Sequence, residues 1–410
     1  MQSSRSAFIW NMLGSLANAA SSMLLMMFVG RAQGEGAAGI FSISLAISQL
    51  FATIGLFEIR TYQSSDLKEE FKFKEYFSFK MLSCLAMMLF SFFYIILKGY
   101  QGIELRIILL MCIYKCLDAL IDVFHGLFQQ KNRLEIAGKS LFIRTVLCTI
   151  AFVILVYKFD DLFIPILVMN IITILWMGCY DFYHTFMLEK TWVSIDLKKI
   201  FFLFKECLPL CICSFISIYL INSPKYAIDS YATYQIQGIF GYIFMPTSVI
   251  NLFSIFILRP LIGDLSTAWN TGNMGRFVRL VLMVVGWIGV LTIIALIGGF
   301  FLGIPVLSLF YATNLNEYRY HLIIILLGGG FSALTTALYY ILTVMRRQKS
   351  VLLTYMIVFP FTLILVPLCT KYYGLIGASY GYLFSMIALS IGLCITLLIS
   401  MKYINKNNIN

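Results

Sequence analysis

Long apolar runs, broken at short intervals by glycine, proline or clustered charge, organise the sequence into twelve expected membrane-spanning helices. The first runs from Ala7 to Gly30 and the second from Ala37 to Glu58; Phe77–Leu97, Ile103–Gln130, Ser140–Tyr157 and Leu162–Tyr183 complete a first set of six. A second set follows as Cys207–Asn222, Gly238–Ile262, Leu280–Ile304, Tyr320–Met345, Val351–Cys369 and Gly374–Ser400. Most approach the length of about 20 residues that crosses a hydrocarbon core of about 30 Å. The opening run carries Ala17-Asn18-Ala19, the small-residue pattern of a cleavable leader, but its apolar character continues to Gly30, which predicts an uncleaved helix.

Between the second and third spans, residues 59–76 hold eight charges, including Arg60, Asp66 and Lys72, and predict a solvated loop or a surface helix with Phe71, Phe73, Tyr76 and Phe77 dipping inward. Between the two sets, residues 188–205 turn amphipathic, with Lys190, Lys198, Lys199 and Lys205 among Ile200, Phe201 and Phe204. This segment predicts a cytoplasmic linker between an N-terminal six-helix bundle, 1–187, and a C-terminal one, 206–401, ahead of a cytoplasmic tail at 402–410. Gly39-Ile40-Phe41 recurs as Gly238-Ile239-Phe240, an offset of 199 residues that maps the first two spans onto the seventh and eighth. An even number of spans per half gives repeats of the same orientation. The expected fold is therefore all-α: twelve helices in two bundles related by a parallel pseudo-two-fold repeat around a central cavity.

Polar residues inside these spans carry the functional signal. In the fourth, Lys115, Asp118, Asp122, His125 and Gln129 follow at spacings of three and four, so they form one stripe on a helix otherwise covered by leucine and isoleucine. Ionisable groups at membrane depth are costly and face a wet cavity or a partner. The stripe thus either lines a transport passage or holds helices together through an ion pair of Lys115 with Asp118 or Asp122. In the first span Asn11, Ser15, Asn18 and Ser22 repeat the same spacing, which fits a second cavity face or polar helix packing. Lys225 and Asp229, in the expected outer segment 223–237, stand four apart and can pair on one turn.

Composition supports the membrane reading: 60% of residues are hydrophobic and 12% charged, with a mean hydropathy of +0.89. The net charge of +11 would suggest nucleic acid in a soluble protein. Here 22 Lys and Arg fall on the side of the N-terminus and 7 on the other, with Lys115 between them, so the balance predicts both termini inside and no nucleic-acid partner. The ten cysteines have no metal-ligand spacing, and the three histidines belong to no hydrolase, zinc or nucleotide motif. No enzyme activity, cofactor or metal is expected. The short outer segments argue against a polymerase or ligase with a large external loop.

Several stretches resemble Wzx-type O-antigen flippases: Arg60-Thr61-Tyr62-Gln63-Ser64-Ser65-Asp66, Lys115 through Arg133, Ala137-Gly138-Lys139-Ser140-Leu141 with Arg144, Asn222 to Asp229, and Gly241-Tyr242-Ile243-Phe244-Met245-Pro246. Tyr373-Gly374-Leu375-Ile376-Gly377-Ala378 is similar to the turn before the last helices of polysaccharide exporters. The resemblance implies the multidrug/oligosaccharidyl-lipid/polysaccharide exporter superfamily, in which an undecaprenyl-diphosphate-linked oligosaccharide is moved across the bacterial inner membrane by alternating access. It implies H+ or Na+ as coupling ion, and a polysaccharide polymerase and chain-length regulator as partners. On that reading Lys115, Arg144 and Lys225 are candidate phosphate contacts and Asn11 and Asn18 candidate sugar contacts; Asp118, Asp122 and His125 are candidate ion-coupling groups. Two acids and one lysine on a single helix make a weak anion clamp, which leaves room for a multidrug antiporter of the same superfamily or, further off, a membrane glycosyltransferase.

Overall fold

Glycine breaks set the helix boundaries that hydropathy leaves undefined. In the computed structural model, which describes residues 2–66, 69–190 and 196–407 with side chains for 6–402, helix α1 (Gln2–Leu56) is one element interrupted at Gly34, whose φ of 81° suits a residue without Cβ. Gly374, at φ 58°, divides α14 (Gln348–Asn407) in the same way. Between them lie α2 (Ile59–Ser65), α3 (Phe73–Lys98), α4 (Gly102–Gln130), α5 (Leu134–Lys158), α6 (Phe163–Trp176), α7 (Tyr183–Leu188) and α8 (Leu197–Tyr231). The remainder are α9 (Tyr234–Phe244), α10 (Pro246–Asn270), α11 (Met274–Gly298), α12 (Ile304–Tyr311) and α13 (Arg319–Val344). π-helical turns at Met177–Phe182 and Gly299–Gly303 join α6 to α7 and α11 to α12.

Among the described residues nine helical stretches are long and apolar enough to cross a membrane. Two of them are doubled by the breaks at Gly34 and Gly374, and α4 is kept out of that set by its charges, so the described residues hold twelve spans, as hydropathy predicts. The break at Gly34 lies 199 residues before Thr233, the N-cap of α9, so the sequence offset is also the offset between helix breaks.

The chain divides into two compact units, Met1–Ile218 and Tyr219–Asn410. Part of the expected linker, residues 191–195, lies outside the described residues, and Leu197 already begins α8. Of the expected tail, 408–410 lie outside them, and α14 continues through 407.

In the first unit the charged segment after the second span is more ordered than a surface loop. Left-handed Phe57 and Glu58 end α1 and turn the chain into α2. Asp66 then accepts from the backbone of Glu70 and Phe71 and from the Tyr76 hydroxyl. Phe71, Phe73 and Tyr76 are buried in an aromatic core with Phe57, Phe79, Phe124 and Phe128, so their apolar surface packs against protein.

The helices α1 and α5 cross closely. A Cβ at Gly138 would lie 2.6 Å from the backbone carbon of Trp10 and 2.7 Å from the nitrogen of Asn11, so only glycine fits there. In the second unit, the segment expected as an outer loop after Asn222 instead continues α8 to Tyr231, with Asn222 through Ile228 buried.

Candidate functional site

Hairpin geometry brings charges from four helices together. Asp118 lies 12 residues before the end of α4 and Arg144 ten after the start of α5, so at 1.5 Å per residue both sit about 15–18 Å from the same tight turn. Lys80 and Asp122 stand at matching depths, about 27–30 Å from the turn between α3 and α4. Depth alone therefore pairs them.

Asp118 is held between Lys115, whose Nζ is 2.9 Å from Oδ2, and Arg144, whose Nη1 donates to Oδ1. Asp122 is held between Arg60 at 3.3 Å and Lys80 at 3.6 Å. Arg60 also donates from Nε and Nη2 to Gln129 Oε1, both at 3.3 Å, and Lys80 donates to the Leu56 carbonyl at 2.8 Å. Lys80 is fully buried and Arg144 5% exposed, whereas Lys115 and Asp118 keep 20% and 22% of their side-chain surface. Four cations surround two carboxylates, leaving two positive charges uncompensated within the cluster. The single-helix stripe that looked weakly cationic gains Arg60, Lys80 and Arg144 once α2, α3 and α5 pack against it.

The small residue Gly126 admits α2 to this arrangement. A Cβ there would collide with the Gln63 side chain and touch Cγ of Arg60, which reaches Asp122 and Gln129 from α2.

His125 departs from the cluster. It is buried, with Nε2 3.4 Å from Oδ1 of Asp181 in the π-helical turn. Among the described residues, His125 Nε2, both Asp181 carboxylate oxygens and Thr185 Oγ1 are buried without hydrogen-bond partners. Such a concentration of unsatisfied polar atoms is rare away from functional positions, as are π-helical turns.

The structure does not bring the other expected groups to α4 within the first unit. Asn11 and Asn18 lie on α1 beside its crossing with α5, Asn18 exposed and Asn11 partly so. Lys225 belongs to the second unit, buried in α8 with its Nζ 4.9 Å from the centre of the Phe244 ring. It forms no ion pair with Asp229 or any other described residue.

Arg60, Lys80 and Asp181 were not singled out from the sequence. Arg60 lies within the charged segment 59–76 and Lys80 just after it, and both count as membrane-edge cations in the sequence; only the folded hairpins show how deep they reach. Asp181 carried a usable signal, a lone carboxylate in an apolar span.

Comparison with known proteins agrees with this architecture. The model of the family described as polysaccharide biosynthesis protein matches residues 5–265. No curated protein matches the sequence. Among solved structures, the lipid II flippase MurJ in an inward closed conformation superposes with a TM-score of 0.73 at 15% identity, covering 97% of this chain and 87% of that one. The eukaryotic MATE transporter AtDTX14 superposes with a TM-score of 0.69 at 13% identity, over 97% and 96% of the two chains. An inward-facing multidrug resistance MATE family transporter of the MOP superfamily gives 0.64 at 14% identity, over 96% and 95%. At these identities the likeness is one of fold, that of multi-pass membrane transporters and flippases.

Proposed function

The chain belongs to the polysaccharide biosynthesis protein family, and from that membership we propose that it is a flippase for polyprenyl-diphosphate-linked oligosaccharide, feeding O-antigen or another surface polysaccharide. The cargo passes from the cytoplasmic to the periplasmic leaflet of the bacterial inner membrane, with both termini of the protein cytoplasmic. The observation that carries this reading is the cluster on α4: Lys115, Arg144, Arg60 and Lys80 around Asp118 and Asp122. A diphosphate head group needs fixed positive charge and planar donors, and Arg144 and Arg60 supply both. Asn11 and Asn18 offer amide groups to sugar hydroxyls, and Lys225 offers a further cation from the second unit.

While ionised, Asp118 and Asp122 occupy the cations that the diphosphate requires, so head group and carboxylates compete for the same four side chains. Asp118, Asp122 and His125, the last beside Asp181, are the groups we assign to ion coupling as α4 is exposed alternately to the two sides of the membrane. A multidrug antiporter shares the fold, but a surplus of positive charge suits an anionic head group better than a cationic drug.

The test is reconstitution. Proteoliposomes containing the purified chain and an undecaprenyl-diphosphate-linked oligosaccharide should expose the glycan to an external lectin or glycosidase faster than protein-free vesicles, and a deletion strain should accumulate the lipid-linked unit on its cytoplasmic face. Equal exposure rates with and without protein, or a deletion strain with normal surface glycan and raised drug sensitivity, would falsify the reading.

A further inference from the structure

The two halves of α14 leave between them an open groove of about 680 Å³, within the range of ligand pockets, and nothing in the α4 mechanism uses it. Its walls are two stripes at a spacing of four: Leu353, Ile357 and Phe361 before the break at Gly374, and Ile391, Ile395 and Ile399 after it. All six are between 47% and 67% exposed, so in a bilayer this face meets lipid chains. Gly392 deepens the floor, where an added Cβ would lie 2.7 Å from the Thr354 methyl. The Thr354 and Thr396 hydroxyls bond each other at 2.9 Å and ask nothing of a ligand.

The groove has one charged end. It terminates at Ser350 and Ser400, next to Lys349 and Lys402, with Arg346 and Arg347 just before α14; Arg346, Lys349 and Lys402 are exposed. None of the four forms an ion pair among the described residues. The other end, at Phe361 and Ala388, is apolar. From Ser350 to Phe361 the groove runs about 16 Å, half of a hydrocarbon core of about 30 Å. That length suits a chain confined to one leaflet, and a polyisoprenoid spanning the core would overrun it.

We infer that this groove binds one anionic phospholipid, an acyl chain lying along Leu353 to Phe361 and the phosphate between Lys349 and Lys402. The head is selected by charge and the chain by the apolar walls. The site is independent of the cargo and of the α4 cluster.

Native mass spectrometry of the full-length protein, delipidated in detergent and titrated with single lipids, tests it. Phosphatidylglycerol should be retained over phosphatidylethanolamine at equal concentration, and Lys349→Gln with Lys402→Gln should lower phosphatidylglycerol retention about thirtyfold, from the loss of two interfacial lysines. Ala388→Phe, which fills the apolar end, should lower retention of phosphatidylglycerol while leaving the thermal melting of the protein unchanged. Glycerol phosphate, a head group without chains, should not bind. Equal retention of both lipids, an unaffected lysine pair, or binding of glycerol phosphate as tight as the lipid overturns the inference. So does displacement of phosphatidylglycerol by stoichiometric undecaprenyl phosphate, which would assign the groove to the cargo lipid.

Discussion

Lys80, fully buried on α3, lies 3.6 Å from Asp122 on α4 and donates to the Leu56 carbonyl where α1 ends. One buried cation thus fixes three helices at once. Removing one partner of such a pair leaves the other charge uncompensated at a cost of about 3–5 kcal/mol, whereas an apolar pair of similar volume is often tolerated. Asp122→Ala should therefore lower the melting temperature in detergent more than Lys80→Met with Asp122→Leu does. The double variant should regain stability and lose transport. A double variant less stable than Asp122→Ala would show that the pair stabilises the bundle outright.

Arg144 and Asp118 give the opposite balance, because Asp118 keeps a fifth of its surface accessible and has Lys115 as a second partner. Arg144→Lys preserves charge but loses the planar fork that a diphosphate or carboxylate engages, and such exchanges are not conservative. We expect Arg144→Lys to fold normally and to flip lipid-linked oligosaccharide about tenfold more slowly, as a loss of about 1.4 kcal/mol would give. Initial flipping rates in proteoliposomes measure this. An unchanged rate would remove Arg144 from cargo binding and leave it a packing role.

The stripe on α4 was legible in the sequence because a period of three and four survives any tertiary arrangement: Lys115, Asp118, Asp122 and Gln129 share a face in the helix as they do in the pattern. Its meaning was not legible, because the sign of the site depends on Arg60, Lys80 and Arg144, each placed by a different helix. Hydropathy drew the spans correctly, yet it ended the seventh at Asn222, since Lys225 and Asp229 read as polar while the helix buries them or runs on regardless. Phe71, Phe73 and Tyr76 were identifiable as apolar anchors. Whether they anchor in lipid or in protein depends on Phe124 and Phe128, some fifty residues away.

The crossing of α1 and α5 at Gly138 makes a sharper stability prediction. An added Cβ would meet the backbone of Trp10 and Asn11, which cannot rotate away, so Gly138→Ala should push the helices apart and destabilise by about 1–3 kcal/mol. Gly178, with nothing near its Cβ position, is the control: Gly178→Ala should be neutral or slightly stabilising. Thermal melting of the two variants in the same detergent decides it, and equal effects would refute the close crossing.

The buried pair of His125 and Asp181 bears on energy coupling. Their 3.4 Å approach, in a π-helical turn with Thr185 also unbonded, places two protonatable groups where a single proton satisfies both. Arg133, Lys139, Glu135 and His184 are the charged or titratable neighbours along the same end of the unit. If the pair carries the coupling proton, Asp181→Asn removes the exchangeable site and keeps the shape. Flipping driven by an imposed pH gradient should fall to the rate seen without a gradient, while exchange of lipid-linked oligosaccharide at equal pH persists. His125→Gln should act in the same direction, and His184→Gln, partly buried in α7 against Tyr180 and Tyr183, should leave the gradient dependence intact. A gradient response in Asp181→Asn equal to that of the unmodified protein would shift coupling onto Asp118 and Asp122.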